Sequence, residues 1–154
     1  MSEQFASALG FDFGLRRIGL AYGQTVTATA QPLQPIAARD GVPDWTLIDK
    51  TLAEWQPQAI VVGLPLNMDG TVSEMARRAR KFANRLHERV KIPCFLYDER
   101  LTSFEAKEIH VARGGGRDFG AESVDGLAAQ LMLEAWFAQD NLIPSHTRLE
   151  DIYD

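Results

Sequence analysis

Apolar residues follow two rhythms along this chain, and the change between them divides it. Residues 7–14 and 17–23 alternate in strand fashion and are joined by a tight turn. Within "LGFDFG", alternation sends Phe11 and Phe13 to one face and Gly10, Asp12 and Gly14 to the other. The run "TVTATAQPLQPIAA", residues 25–38, reads as a third strand; Pro32 and Pro35 suit it to a sheet edge. Three successive strands with short connections are most simply antiparallel. From Asp44 the period lengthens. Trp45, Ile48, Leu52 and Trp55 recur at three- and four-residue steps, a helix that Pro57 stops. "AIVVG" (59–63) is wholly apolar, as a strand buried on both faces should be.

A second helix is expected from about Ser73 to Val90, with Met75, Ala79, Phe82, Ala83 and Leu86 inward. "PCFLY" (93–97) is another short buried strand. Helices come next at 103–113 and 122–138, the latter with Val124, Leu127, Ala128, Leu131, Ala135 and Ala138 inward, and "RGGGRDFG" lies between them. The order β-β-β-α-β-α-β-α-α predicts an α/β fold: an antiparallel meander, then parallel strands, in one mixed sheet with helices on both faces. With 154 residues and 45% hydrophobic content, residues 1–139 are expected to form one domain. Residues 140–154 lack periodicity and are expected to form a disordered acidic tail. The longest apolar run, "AIVVGLPL", is strand-sized, the first residues do not have the pattern of a signal peptide, and Cys94 is the single cysteine. Those features make a cytoplasmic protein the expectation.

Charge alters the picture. The net charge of −5 argues against an anionic partner until its distribution is considered: residues 1–70 carry −3, residues 71–117 carry +5 and residues 118–154 carry −7. A bipolar chain of this kind can hold a polyanion on one face, although a solvated helix offset by an acidic tail gives the same numbers.

The chemistry centres on carboxylates. An ionised aspartate inside an apolar strand costs several kcal/mol unless an arginine, a metal or a substrate group meets it, and Asp12 stands in such a strand with Arg16 and Arg17 just downstream. Asp98 and Glu99 come directly after strand 93–97, where a parallel sheet presents its ligand-binding edge. Alternation sends their side chains to different sides, so one of the two faces any common site. Asp125 opens an otherwise apolar helix and is flanked by Gly126, Ala128 and Ala129, which let that helix lie close to a sheet. Its plainer reading is an acid favoured by the helix N-terminus. Together the acids describe an oxygen-rich pocket suited to Mg²⁺ or Mn²⁺, and two such ions can activate water and stabilise the leaving oxygen of a phosphodiester. His87, His110 and His146 have no serine or cysteine at a telling spacing and read as surface residues.

"FDFGLRRIGLAYG", "VVGLPLNMDGT", "YDERLTS" and "VDGLAA", in this order, resemble the YqgF family, also called RuvX, over about residues 8–138. These bacterial proteins of the RNase H-like superfamily are described as Holliday junction resolvases and as nucleases that mature the 5′ end of pre-16S ribosomal RNA. The resemblance implies a five-stranded RNase H-like sheet with its first strand central, and an acidic site in which Asp12, Glu99 and Asp125 are catalytic and bind metal. Resolvase relatives carry a glutamate at the end of the strand equivalent to 59–63, where this chain reads "VVGLP", and the family's substitute is the acid after the next strand. The choice between Asp98 and Glu99 therefore stays open.

In that light the basic helix gains a role, with Arg77, Arg78, Arg80, Lys81, Arg85 and Arg89 placed to hold phosphates without reading sequence. Arg16 and Arg100 stand beside the acids, either to contact a phosphate or to neutralise the cluster. Asn67 and Asp69 either line the same cleft or simply build a turn, and Gly114–Gly116 form a flap or a loose connection. The substrate expected first is RNA, the pre-16S precursor in a ribosomal particle, cut by a monomer or weak dimer. Branched DNA is the close variant. Two further readings are a nucleotide-binding module, because "DFGLRRIG" resembles the first phosphate loop of actin-like ATPases, and a non-catalytic ribosome- or transcription-associated factor.

Overall fold

A computed structural model describes residues 4–65, 73–99, 121–139, 142–149 and 152, with residues 121–125 described by backbone alone. The expected helix at 103–113, and with it His110, Asn67, Asp69, Arg100 and Gly114–Gly116, lies outside the described residues.

The first half is a meander of β1 (Ser7–Asp12), β2 (Arg17–Gln24), β3 (Thr29–Arg39) and β4 (Val42–Pro43). Then come α1 (Trp45–Trp55), β5 (Ala59–Leu64), α2 (Glu74–Val90), β6 (Cys94–Asp98), α3 (Ala121–Phe137) and β7 (Ile143–Pro144). The sheet order is β4-β3-β2-β1-β5-β6-β7, so β1 is central. It pairs antiparallel with β2 and parallel with β5, and β5 pairs parallel with β6. The five expected strands are all present. Two short ones extend the sheet to seven: β4 at one edge and β7 at the other.

The first addition has a local cause and the second a long-range one. Asp40 and Gly41 have φ of 49° and 82°, the left-handed pair that a tight hairpin turn requires, and they fold Val42–Pro43 back onto Ala38 and Arg39. Near Pro35, which has no N–H to give, the β2–β3 register shifts between Ile18 and Leu20. At the other edge, Ile143 and Pro144 pair with Leu96 and Phe95, and Ser145 N–H donates to the Cys94 carbonyl at 3.0 Å. Arg80 fastens the next two residues, donating to the carbonyls of His146 and Thr147 at 2.7 Å each, and Leu149 is buried. Residues 142–149 are thus part of the folded body rather than a free tail.

The sheet has a large-residue face and a small-residue face. Leu9 and Phe11 of β1 and Phe13 just beyond it, with Ile60, Val62 and Leu64 of β5, meet Ile48 and Leu52 of α1 and Phe82 and Leu86 of α2. Asp44 caps α1 by accepting from Thr46 N–H at 3.0 Å, and Ser73 caps α2 by accepting from Ala76 N–H at 3.0 Å. The other face carries Ala8, Gly10, Ala21, Ala59 and Val61, and α3 lies on it. That helix sits so close that a Cβ on Gly10 would come 3.0 Å from Met132 Cε.

The inner stripe of α3 differs from the expected one. Ala129, Met132, Leu133, Trp136 and Phe137 are buried, whereas Leu127, Ala128, Leu131 and Ala135 are half-buried and Ala138 is exposed; Val124 lies among the residues described by backbone alone. Apolar residues surround this helix, so hydrophobicity alone does not choose a face. Packing does, because the widest side chains fill the space above the alanines and Gly10. In α2 the expected set holds, with Ala76 taking the buried position beside a half-buried Met75.

A core role for the segment after residue 140 has a direct consequence. Leu149→Ala should lower stability in urea denaturation by about 2–4 kcal/mol, the cost of truncating a buried leucine, whereas a free tail would give no change.

Candidate active site

Three parallel-running strand ends bring the acids together. Asp12 ends β1 opposite Gly19 and, by alternation from Ala8 and Gly10, belongs to the face under α3. Gly63 belongs to the same face of β5, two residues beyond Val61, and is paired with Tyr97 of β6. Past the last residue of β6 the parallel ladder continues, Glu99 N–H donating to the Leu64 carbonyl at 3.1 Å. This bond fixes Glu99 in the alternation that places Phe95 and Tyr97 under α3.

The Glu99 side chain turns back across the sheet and occupies the space over Gly63. A Cβ built on Gly63 would lie 2.3 Å from Glu99 Cδ and 2.5 Å from Oε1. Glu99 is only 5% exposed, one of three buried polar or charged residues among those described. A β5 side chain and the Glu99 carboxyl therefore exclude one another. Sequence reasoning registers the missing acid at this strand end but not what replaces it. The available signal is a single glycine in an otherwise bulky, fully buried strand, which marks a close approach.

Glu99 holds its proton well above the ordinary carboxyl value of 4.5. Burial is the largest cause, then the negative charge of Asp12, the hydrogen bond between the two carboxyls and the charge of Asp98. Asp12 and Glu99 thus meet directly. Asp98, paired in register with Leu64, is half-buried and falls on the opposite alternation, near enough for its charge to act on Glu99.

Asp125 lies in α3, one and two turns before Ala129 and Leu133 on the i, i+4 stripe that covers β1. Its side chain lies outside the described residues, and among the described residues no group of three or more metal-ligating side chains is gathered. Arg16 is exposed in the turn after β1; its carbonyl accepts from Ala38 N–H at 2.8 Å, and its side chain bonds to no described residue. His87 is engaged at the end of α2, with Nδ1 2.8 Å from the Ile92 carbonyl. Burial pushes the Cys94 thiol up to about 12, which leaves it an inert core group.

The six cations of α2 divide. Arg78 pairs with Asp40 at 3.3 Å, Arg80 holds the segment after β7, and Arg89 forks onto Asp49 at 2.9 and 2.7 Å while lying 5.1 Å from the Trp45 ring. Arg77, Lys81 and Arg85 are exposed.

Gly63→Ala should dislodge Glu99, and the raised proton affinity of that residue should fall towards the ordinary range, read by carboxyl NMR titration; an unchanged Glu99 titration would refute the exclusion. Because folded Glu99 holds its proton more tightly than the unfolded chain, its stabilising contribution is complete below about pH 4.5 and fades as pH rises through the folded value. In metal-free buffer, Glu99→Gln should therefore be more stable than the parent at neutral pH, by on the order of 1 kcal/mol or more, and equal to it in acid. Thermal melts across that pH range measure the difference.

A family model described as "RuvX: Holliday junction resolvase" matches residues 6–139. Similar relatives include a protein of Marinobacter nauticus named "Putative pre-16S rRNA nuclease", 57% identical over 128 residues, which are 83% of this chain and 90% of the relative. One of the same name from Hahella chejuensis is 54% identical over 139 residues, 89% of this chain and 88% of that one. Among solved structures, T. thermophilus RuvC in complex with Holliday junction substrate aligns with a TM-score of 0.54 at 16% identity, covering 90% of this chain and 98% of that one. The yeast mitochondrial Holliday junction resolvase Ydc2 aligns at 0.51 and 12%, covering 84% and 77%. Those two likenesses show a shared RNase H-like fold.

Proposed function

The chain belongs to the RuvX family, and from that premise we propose that it is a divalent-metal-dependent endonuclease that matures the 5′ end of pre-16S ribosomal RNA, with Asp12, Glu99 and Asp125 as its catalytic acids. The observation that carries this reading is the direct meeting of Asp12 and a buried Glu99 at the carboxyl edge of the central strands. A purely structural pair of like charges has no reason to be kept at that edge, where parallel sheets bind ligands.

The donor set fits a hard cation. Asp12 and Glu99 offer only oxygen, and Mg²⁺ or Mn²⁺ needs one or two carboxylates while keeping several waters. When bound, such ions supply the charge that activates water and stabilises the leaving oxygen of a phosphodiester. The protein's own residues do the rest. Loss of the proton that Glu99 holds would leave Asp12 and Glu99 as the oxygen donors for such an ion. Gly63 leaves the space that lets Glu99 reach Asp12, and α3 closes that face of the sheet against solvent. Asp125 approaches from α3, while Arg16, Arg100 and the α2 cations that pair with no described residue hold the substrate's phosphates.

The relatives' shared name favours ribosomal RNA as substrate. The family description and the junction-bound RuvC neighbour favour branched DNA as the second reading. Purified protein with Mn²⁺ or Mg²⁺ should cleave a pre-16S transcript faster than a four-way DNA junction at equal enzyme, and Asp12→Asn should lower the rate by about 10²-fold or more. Metal-dependent cleavage of the junction alone would replace the first reading with the second. No cleavage of either, with normal growth of cells carrying Asp12→Asn, would leave a non-catalytic factor.

A further inference from the structure

The cations of α2 that the fold leaves uncommitted form a single line. Arg78, Arg80 and Arg89 are occupied by Asp40, by the His146 and Thr147 carbonyls, and by Asp49. Arg77, Lys81 and Arg85 make no hydrogen bond or ion pair among the described residues and are exposed. Their i, i+4, i+8 spacing puts them on one stripe in steps of about 6 Å, comparable with the interval between successive phosphates of a nucleic-acid strand.

A cleft of about 250 Å³ runs along the stripe, walled on its far side by the turn from Asp40 to Trp45 and floored by Phe13 and Phe82. Two carboxylates share this cleft, Asp40 and Glu74. Asp40 is held by Arg78, and Glu74 sits at the N-terminal end of the line, so the stripe stays positive. Beyond Arg77 a second cleft is lined by Arg80, Arg148 and Leu149, because Arg80 fastens the segment after β7 beside α2. Phe13 comes directly after Asp12 and points to the other side of the sheet, so the first cleft begins across the end of β1 from the acids.

We propose that this cleft is the seat of a single nucleic-acid strand, whose phosphodiester backbone lies along Arg77, Lys81 and Arg85 after passing over the carboxyl end of β1. The proposal rests on the nuclease reading and adds the path of the substrate. A cleft of this volume takes a sugar-phosphate unit rather than a base pair, and exposed cations on a helix read phosphate and not sequence.

Fluorescence anisotropy with a short labelled single-stranded RNA, in EDTA so that cleavage plays no part, tests the path. Replacing Arg77, Lys81 and Arg85 together by alanine should weaken binding at least about tenfold at low salt and flatten the plot of log K against log salt by about 2, from roughly 0.7 per lost phosphate contact. Replacing two exposed lysines elsewhere, Lys50→Ala and Lys91→Ala, should leave both quantities near the parent values. Single-stranded DNA of the same length should bind comparably and a blunt duplex more weakly. The path is overturned if the triple variant matches the lysine control, if the parent binds no strand, or if it prefers the duplex. Failure of the nuclease reading shows separately, as absence of metal-dependent cleavage by a parent protein that still binds RNA.

Discussion

Two carboxyl groups held against one another inside a sheet are the arrangement on which this molecule turns. Both cannot ionise there without mutual repulsion in a site that burial keeps from water, and Glu99 answers by keeping its proton. The contact exists because three strand ends align: β1 supplies Asp12, β6 leads into Glu99, and β5 between them supplies a position without a side chain. A Cβ at 63 would stand where the Glu99 carboxyl now lies, so that the side chain would have to shift. In this chain a glycine is thus as much a part of the acid site as the acids, because it decides where one of them lies.

The same demand for closeness shapes the whole α3 face. Ala8, Gly10, Ala21 and Ala59 keep it low, and α3 settles onto it with Met132, Leu133 and Trp136 filling the space. Gln130 and Glu134, one turn apart, clasp the Ala30 backbone of β3, donating to its carbonyl and accepting from its N–H at 2.9 Å each. Those bonds fix the rotation of α3, and with it the stripe to which Asp125 belongs. The opposite face has no such demand and uses large side chains, with Phe82 in ring contact with Phe11, Phe13 and Trp45. The acids and the α2 cations therefore lie on opposite faces of the sheet, and they approach one another only at the end of β1, where Asp12 and Phe13 point apart.

Much of this is legible in the sequence because it is written in period. The side of the sheet that Asp12 takes, opposite Phe11 and Phe13, the wholly apolar β5, the stripe of α2 and the opposed directions of Asp98 and Glu99 all emerge from counting in twos or in threes and fours, whereas Asp12 proves to end β1 rather than to lie within it. What periodicity cannot resolve is set by contacts distant in sequence. The face of α3 escapes it because a helix apolar on most sides carries no preferred direction. β7 has only two residues and pairs where Phe95 and Leu96 offer it an open edge, with Arg80 fastening the residues that follow. The turn that makes β4 does carry a signal, Asp40–Gly41, but one of turn chemistry that hydrophobic period does not register. Which cations of α2 remain uncommitted depends on Asp40, Asp49 and the 146–147 carbonyls, all remote along the chain.

The distribution of charge then acquires a structural meaning. The segment of net +5 does not present a uniform basic face, since half of the α2 cations anchor other elements. Arg80 binds the region after β7 through backbone carbonyls, which carry no net charge, so it fastens that segment without a carboxylate partner. That segment in turn brings Arg148 beside Arg77. The tail is acidic overall, but the segment that Arg80 fastens includes Arg148 and no carboxylate. A polyanion approaching the molecule meets attraction along α2 and repulsion from the other acids, which restricts how it can lie, and electrostatic orientation of this kind works at a net charge of −5 because the local field, not the total, decides the encounter.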